Sequence, residues 1–333
     1  MAHADGPTDN SHSNPSGPSG NADGKELLAS ASHSQIKINY VKGGGHGNKK
    51  GNLTTIDPNW KPPACWYEPV FTPESLKKFV DDTGGIGDVG AFWSWYGKGL
   101  WTDHYKDEET WPNNDGTTAP GYKNYNIGKK GYFWRSVANE DAAGDVWDCG
   151  KLMFWQDAQT IPNVPNAPTP KTLAEYAYNK VEVPDTKIEL KPATRSTVNL
   201  PTWVWLDKGT FQDVVVRAEL PNTGLWAETT ATPVSLHLDP GTDDAETYPA
   251  SGTCDFNQDK SIGTPYKKGD ADQTPPCGIS YLHATDGTPY QLKASITWKI
   301  SWKGSGNSGG TMPDGTFETT QDMNVQEIQA INR

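Results

Sequence analysis

From Leu292 to Trp302 the chain reads Leu-Lys-Ala-Ser-Ile-Thr-Trp-Lys-Ile-Ser-Trp, and every second residue is apolar. A period of two marks a β-strand, because successive side chains leave opposite faces of the backbone. Leu292, Ala294, Ile296, Trp298, Ile300 and Trp302 therefore share one face, and Lys293, Ser295, Thr297, Lys299 and Ser301 share the other. One face needs a core and the other accepts water. A second run, Thr197 to Leu206 (TVNLPTWVWL), opens the same region. KIEL (187–190), QDVVVRAEL (212–220), WAETTATPVSLHL (226–238), YLHA (281–284) and FETTQDMNVQEIQAI (317–331) add further strand candidates. Short strands separated by Pro and Gly turns argue for a β-sandwich over residues 186–333.

Upstream, residues 58–160 hold nine of the fourteen tryptophans and read as a smaller, mostly β domain. AFWSWYG (91–97), KGYFWRSVA (130–138) and DVWDCGKLMFW (145–155) are its strand candidates. Its one helix is predicted from Pro73 to Val80, with Thr72 as N-cap, Pro73 at the first position and Leu76, Phe79 and Val80 on one face. Ile161 to Pro170 (IPNVPNAPTP) is a stiff spacer, poor in backbone donors, and a short helix starts at Thr169-Pro170, so 161–185 is linker plus helix.

Residues 1–57 are rich in Gly, Ser, Asn, Asp and Pro and are predicted to form a flexible tail, since such a composition buries too little apolar surface to offset chain entropy. Ser34 to Val41 (SQIKINYV) is an island of alternation within it. That island either packs on its own domain or adds to the sheet edge of a partner.

The four cysteines, Cys65, Cys149, Cys254 and Cys277, are widely spaced and form no CxxC pair, which suits an oxidised, exported protein better than a metal site. Of the three possible pairings, Cys65 with Cys149 and Cys254 with Cys277 keeps each bridge within one candidate domain; four reduced, buried thiols are the other possibility. The loop-entropy model gives roughly 3 kcal/mol for the shorter loop and about 4–5 kcal/mol for the longer. Ala2-His3-Ala4 fits the small-x-small end of an export signal. No run approaches the roughly 20 apolar residues that a membrane-crossing helix needs. A net charge of -12 argues against nucleic acid, whose phosphates require clustered Lys and Arg.

The order LAEYAYNKV, VNLPTWVWL, VSLHLDPGTDD, PPCGISYLHAT and YQLKASITWKISW resembles a group of secreted actinobacterial (Streptomyces-type) proteins. It is also similar to the polycystic kidney disease (PKD) type of Ig-like domain, in which a Trp-Asp-x-Gly-Asp-Gly turn precedes a Tyr-x-Val strand. Here the turn stands as Leu238-Asp239-Pro240-Gly241-Thr242-Asp243-Asp244. The likeness covers roughly residues 170–331, with a weaker one from Cys65 to Trp155. It implies a mainly β chain with an Ig/PKD-like β-sandwich and an exported, non-catalytic surface or scaffold role; no cofactor is implied.

Three sets of residues are candidates for chemistry. Trp93, Trp95, Tyr96, Trp101, Trp134 and Trp155 could form a platform that stacks on sugar rings, or could fill the core. The stretch Asp103, His104, Asp107, Glu108 and Glu109, near Trp101 and Trp111, holds the carboxylates a glycan hydrolase would need, but spacing on a polar loop carries no geometric information and a solvated charged loop is the favoured reading. Asp239, Asp243 and Asp244 offer hard oxygens to Ca²⁺ without the ligand spacing of an EF-hand. The expectation is a secreted, non-catalytic cell-surface binding or assembly protein. Its partner would be another envelope protein or a cell-wall glycan, and the alternative is a carbohydrate-binding module or glycan hydrolase.

Overall fold

A computed structural model describes residues 34–43, 50–83, 101–139, 149–185, 188–193, 195–206 and 211–328. The protein is mainly β and carries two disulfides. Chain order opens with β1 (Lys37–Lys42), β2 (Lys50–Asn52), β3 (Thr54–Thr55), β4 (Cys65–Phe71) and helix α1 (Pro73–Thr83). A hairpin of β5 (Trp111–Pro112) and β6 (Thr118–Ala119) precedes β7 (Gly131–Ala138), β8 (Phe154–Asp157) and helix α2 (Pro170–Asn179). Short strands β9 (Glu182–Pro184), β10 (Glu189–Lys191), β11 (Arg195–Thr197) and β12 (Thr202–Leu206) follow, then β13 (Val214–Leu220) and β14 (Leu225–Asp239). The chain continues through β15 (Ala245–Tyr248), β16 (Thr253–Asp255), β17 (Ile262–Gly263) and β18 (Gly278–Tyr281) to β19 (Tyr290–Gly304) and β20 (Ser308–Gln326).

The described residues fall into two units. The larger draws on 36–66, Asn139 and 161–328. Its eight-stranded sheet runs β1-β13-β14-β19-β20-β11, with β16 added to β14 and β3 to β20. A five-stranded sheet runs β10-β12-β18-β15, with β17 on β12. Leu236, Ile296 and Trp298 of the first sheet and Val204, Ile279 and Tyr281 of the second are buried in one core, which also takes Leu173 and Ala177 of α2. Along β19 the apolar face is buried from Leu292 to Ile300, while Lys293, Lys299 and Ser301 are exposed. Each large apolar side chain so buried contributes about 1.5–3 kcal/mol.

Helix α2 starts where its cap dictates. Thr172 N–H donates to Thr169 Oγ1 at 3.1 Å and Thr169 N–H donates to Thr172 Oγ1 at 3.2 Å, so the two threonines satisfy each other's free backbone donors. Leu173, Ala174, Ala177 and Tyr178 are its buried face, and the Thr229 hydroxyl of β14 donates to Ala174 O at 2.9 Å. Cys254 on β16 is bonded to Cys277 ahead of β18, closing a separation of 23 residues. No cysteine is free: Cys65 and Cys149 are disulfide-bonded as well.

Two readings of the sequence need correction here. The 1–57 segment is not a tail throughout: β1 pairs with β13, β2 with β9 and β3 with β20. Ile36 is buried in the core and Tyr40 OH donates to Lys180 O at 2.6 Å, so a few well-placed apolar residues suffice once a sheet edge is offered. The island SQIKINYV therefore packs on its own chain. The TVNLPTWVWL run is also not one strand: Asn199 takes a left-handed conformation with φ 60° and Pro201 lacks an N–H, so the run divides into β11 and β12.

The smaller unit gathers the described residues of 34–35, 67–138 and 149–160. Its sheet is β4-β7-β8. In α1, Ser75 N–H donates to the Thr72 cap at 3.2 Å, and Leu76, Phe79 and Val80 are buried. Glu68 of β4 is a fully buried acid that accepts from Ser34 Oγ at 2.7 Å and from Gln35 N–H at 2.5 Å. Of the described residues of the predicted 145–155 strand run, only Phe154 and Trp155 are strand, at the start of β8 (Phe154–Asp157). Lys151 N–H donates to Tyr67 OH and Leu152 N–H to Asn113 Oδ1, so side-chain acceptors replace the ladder there.

Candidate functional site

Residues 101–105 are helical, which sets Trp101 and Tyr105 one turn apart with ring centroids 5.1 Å apart. Between them in sequence, His104 is 0% exposed. A carbonyl can only accept, so the 2.7 Å contact between His104 Nδ1 and Glu109 O places the proton on Nδ1. Nε2 is buried and has no hydrogen-bond partner. The imidazole stacks on Trp111 at 4.8 Å and 21°, and meets Tyr105 and Tyr122 edge-on at 4.5 and 5.5 Å. Burial pushes its pKa below the usual histidine value, against the pull of the nearby Glu109.

Trp111 is presented by the β5–β6 hairpin, and the turn at its tip is tied down. Thr117 N–H donates to Asp115 Oδ1 at 2.9 Å, and Asn113 Nδ2 donates to Thr117 Oγ1 at 2.8 Å. Lys151 Nζ reaches Asp115 Oδ2 at 3.0 Å, and Leu152 N–H donates to Asn113 Oδ1 at 2.8 Å. Hydrogen bonds from Thr117 and then Lys151 hold the Asp115 carboxyl down at about 2.

On the sheet side, Trp155 of β8 lies opposite Phe133 of β7, and their rings meet edge-on at 5.2 Å. Its indole N–H donates to Asp157 Oδ1 at 2.8 Å and its backbone N–H to Tyr122 OH at 3.1 Å. Tyr105 and Tyr122 stack in parallel, 5.7 Å apart, and Tyr105 OH donates to Met153 O. Trp101, Trp111 and Trp155 are each half-buried. All three rest on one cluster, Trp101 through Tyr105, Trp111 through His104 and Trp155 through Phe133. A half-buried ring held by a buried one is already ordered before any ligand arrives.

The predicted residues are thus distributed unevenly. Trp101 and Trp155 belong to the cluster's half-buried rim, whereas Trp134 is 2% exposed and has no face left for a ligand. Trp93, Trp95 and Tyr96 lie outside the described residues. The side chains of Asp107, Glu108 and Glu109 are exposed. Their backbone is used structurally, since Asp107 bridges to Lys123 and Glu109 N–H donates to Asp103 O.

The Asp239–Asp244 loop is a hydrogen-bonded turn. Asp239 Oδ1 accepts from Gly241 N–H at 2.9 Å and Thr242 Oγ1 accepts from Asp244 N–H at 3.2 Å, while His283 Nε2 lies 3.8 Å from Asp244. Among the described residues, Asp239, Asp243 and Asp244 included, no group of three His, Cys, Asp or Glu side chains is placed to hold a metal. No helix among them is long and apolar enough to cross a membrane.

Sequence reasoning missed Tyr105, Tyr122, Asn113, Asp115 and Lys151. The run Asn113-Asn-Asp-Gly-Thr117 carried a turn signal. Nothing in the sequence pairs Asp115 with Lys151. Comparison with protein-family models, curated proteins and solved structures returns no match.

Proposed function

We propose that the protein is an exported, non-catalytic binding protein of the cell surface, with the aromatic unit as its recognising part. The observation that carries this reading is the rim of Trp101, Trp111 and Trp155 on one buried ring cluster. Indole faces stack on the apolar faces of sugar rings, and neighbouring polar groups such as Asn113, Thr117 and Asp157 serve the hydroxyls. A cell-wall glycan is therefore the favoured ligand class, and another envelope protein is the alternative. Export is supported by the two disulfides, which persist in oxidising surroundings. We read the larger unit as an Ig-type β-sandwich akin to the PKD domain, a reading supported by two sheets that share one core.

A hydrolase draws no support from the 103–109 loop. Glycoside hydrolysis would fall to carboxylates, and those of Glu108 and Glu109 are on exposed side chains, while His104 gives its Nδ1 proton to a backbone carbonyl and keeps Nε2 buried. Cross-linking mass spectrometry of the protein in its native envelope separates the two ligand classes. Retention on purified wall without a recurrent protein cross-link is the expected result; links converging on one protein would replace the glycan with that partner.

A further inference from the structure

We infer that His104 is an acid-sensitive latch on the β5–β6 hairpin, which opens on acidification and releases Trp111. The inference deepens the reading of Trp111 as part of the recognition surface, but the hairpin's movement can be followed without any ligand. In the closed state the imidazole is neutral, with its one proton given to Glu109 O and its bare Nε2 enclosed. A second proton has only Nε2 to occupy, and there it would be a buried cation without an acceptor. In the inferred open state Trp111 has lifted off the ring, and the nitrogen gains access to water.

The groups facing His104 leave few other ways to accommodate the charge. Trp111 from β5, Tyr105 from its own turn and Tyr122 from the segment before Asn124 present neutral rings. Glu109 is the acid that favours protonation, and burial outweighs it. Asp107, Glu108 and Lys123 are exposed, Asp103 is half-buried, and Asp115 is committed to Lys151. The cation–π attraction of Trp111 for an imidazolium works in the opposite direction, yet it acts on one face of the ring and leaves the Nε2 proton unserved.

The sign follows from linkage. The open state binds the proton near the ordinary value of 6.5 and the closed state binds it only at lower pH. The open-to-closed ratio therefore grows about tenfold for each pH unit below 6.5, until the closed state is itself protonated. The turn anchor stays ionised through this window, because Asp115 is held at about 2. Opening is thus confined to the Trp111 end of the hairpin.

The test is hydrogen exchange of the full chain at pH 7.5 and 5.5, corrected for intrinsic rates and read by mass spectrometry over 111–119. Faster exchange at pH 5.5, by up to about tenfold and with α1 unchanged, is the expected result, and His104→Asn and His104→Gln should both abolish the difference. Unchanged protection in the wild type, or an undiminished response in both variants, would overturn the latch. If neither variant folds, the wild-type His104 Hε1 resonance decides: titration in step with hairpin exchange supports the latch, and titration while the hairpin stays closed refutes it. Wall retention is measured separately at both pH values. Opening without a change in retention keeps the latch and removes Trp111 from the recognition surface.

Discussion

Trp298→Ala is expected to destabilise the larger unit by about 3–5 kcal/mol, with Trp298→Phe costing less than about 1.5 kcal/mol. Trp298 is 0% exposed at the middle of β19, opposite Pro233 of β14 and Gly315 of β20, with its ring 6.3 Å from Phe211. Removing it opens a cavity that three paired strands cannot close, because their ladder fixes the backbone on both sides. Phenylalanine keeps most of the volume. It also removes the indole N–H, which is buried without a hydrogen-bond partner, so part of the lost packing is offset by relief of an unmet donor. Urea denaturation of both variants checks the contrast, and equal losses would show that the site is not close-packed.

The second large effect is expected from Gly121→Ala. A Cβ at this position would lie 2.1 Å from the Glu108 carbonyl carbon and 2.2 Å from its oxygen, and backbone atoms cannot swing aside as a side chain can. Glu108 already takes φ 66°, a conformation that a non-glycine residue adopts at a cost. The two segments must therefore part, and the bonds from Tyr122 N–H to His104 O at 2.7 Å and from Asn124 N–H to Lys106 O at 2.8 Å stretch with them. We expect about 2–3 kcal/mol of destabilisation in the smaller unit. The near-ultraviolet circular dichroism of the ring cluster should fall with it. A variant with native stability and native aromatic signal would mean that the 108–121 approach is not needed.

The legible parts of the fold were those encoded within a few residues. Alternation exposed β19, and Thr72-Pro73 and Thr169-Pro170 announced the starts of α1 and α2 because a cap is a contact over three residues. Strand partners were not legible: Lys37 opposite Glu219, or Thr54 opposite Thr316, depends on edges that only the assembled sheet offers. The same limit applied at the candidate site. Trp101 and Trp155 were among the aromatics singled out, but whether a tryptophan ends as rim or as core depends on what covers it, and Trp134, next to Phe133 on β7, is covered. The acidic stretch from Asp103 to Glu109 looked like chemistry and is used chiefly through its backbone, since carbonyl and amide contacts leave no trace in residue identity.

The most direct test of the account is retention on purified cell wall of the wild type against the combined variant Trp101→Ala, Trp111→Ala and Trp155→Ala. Far-ultraviolet circular dichroism and intact disulfides would confirm that the variant is folded. Each aromatic stack is worth about 0.5–1.5 kcal/mol, so losing three should weaken retention by at least about tenfold and up to about a thousandfold. A folded variant that binds wall as tightly as the wild type would contradict the assignment of recognition to this rim.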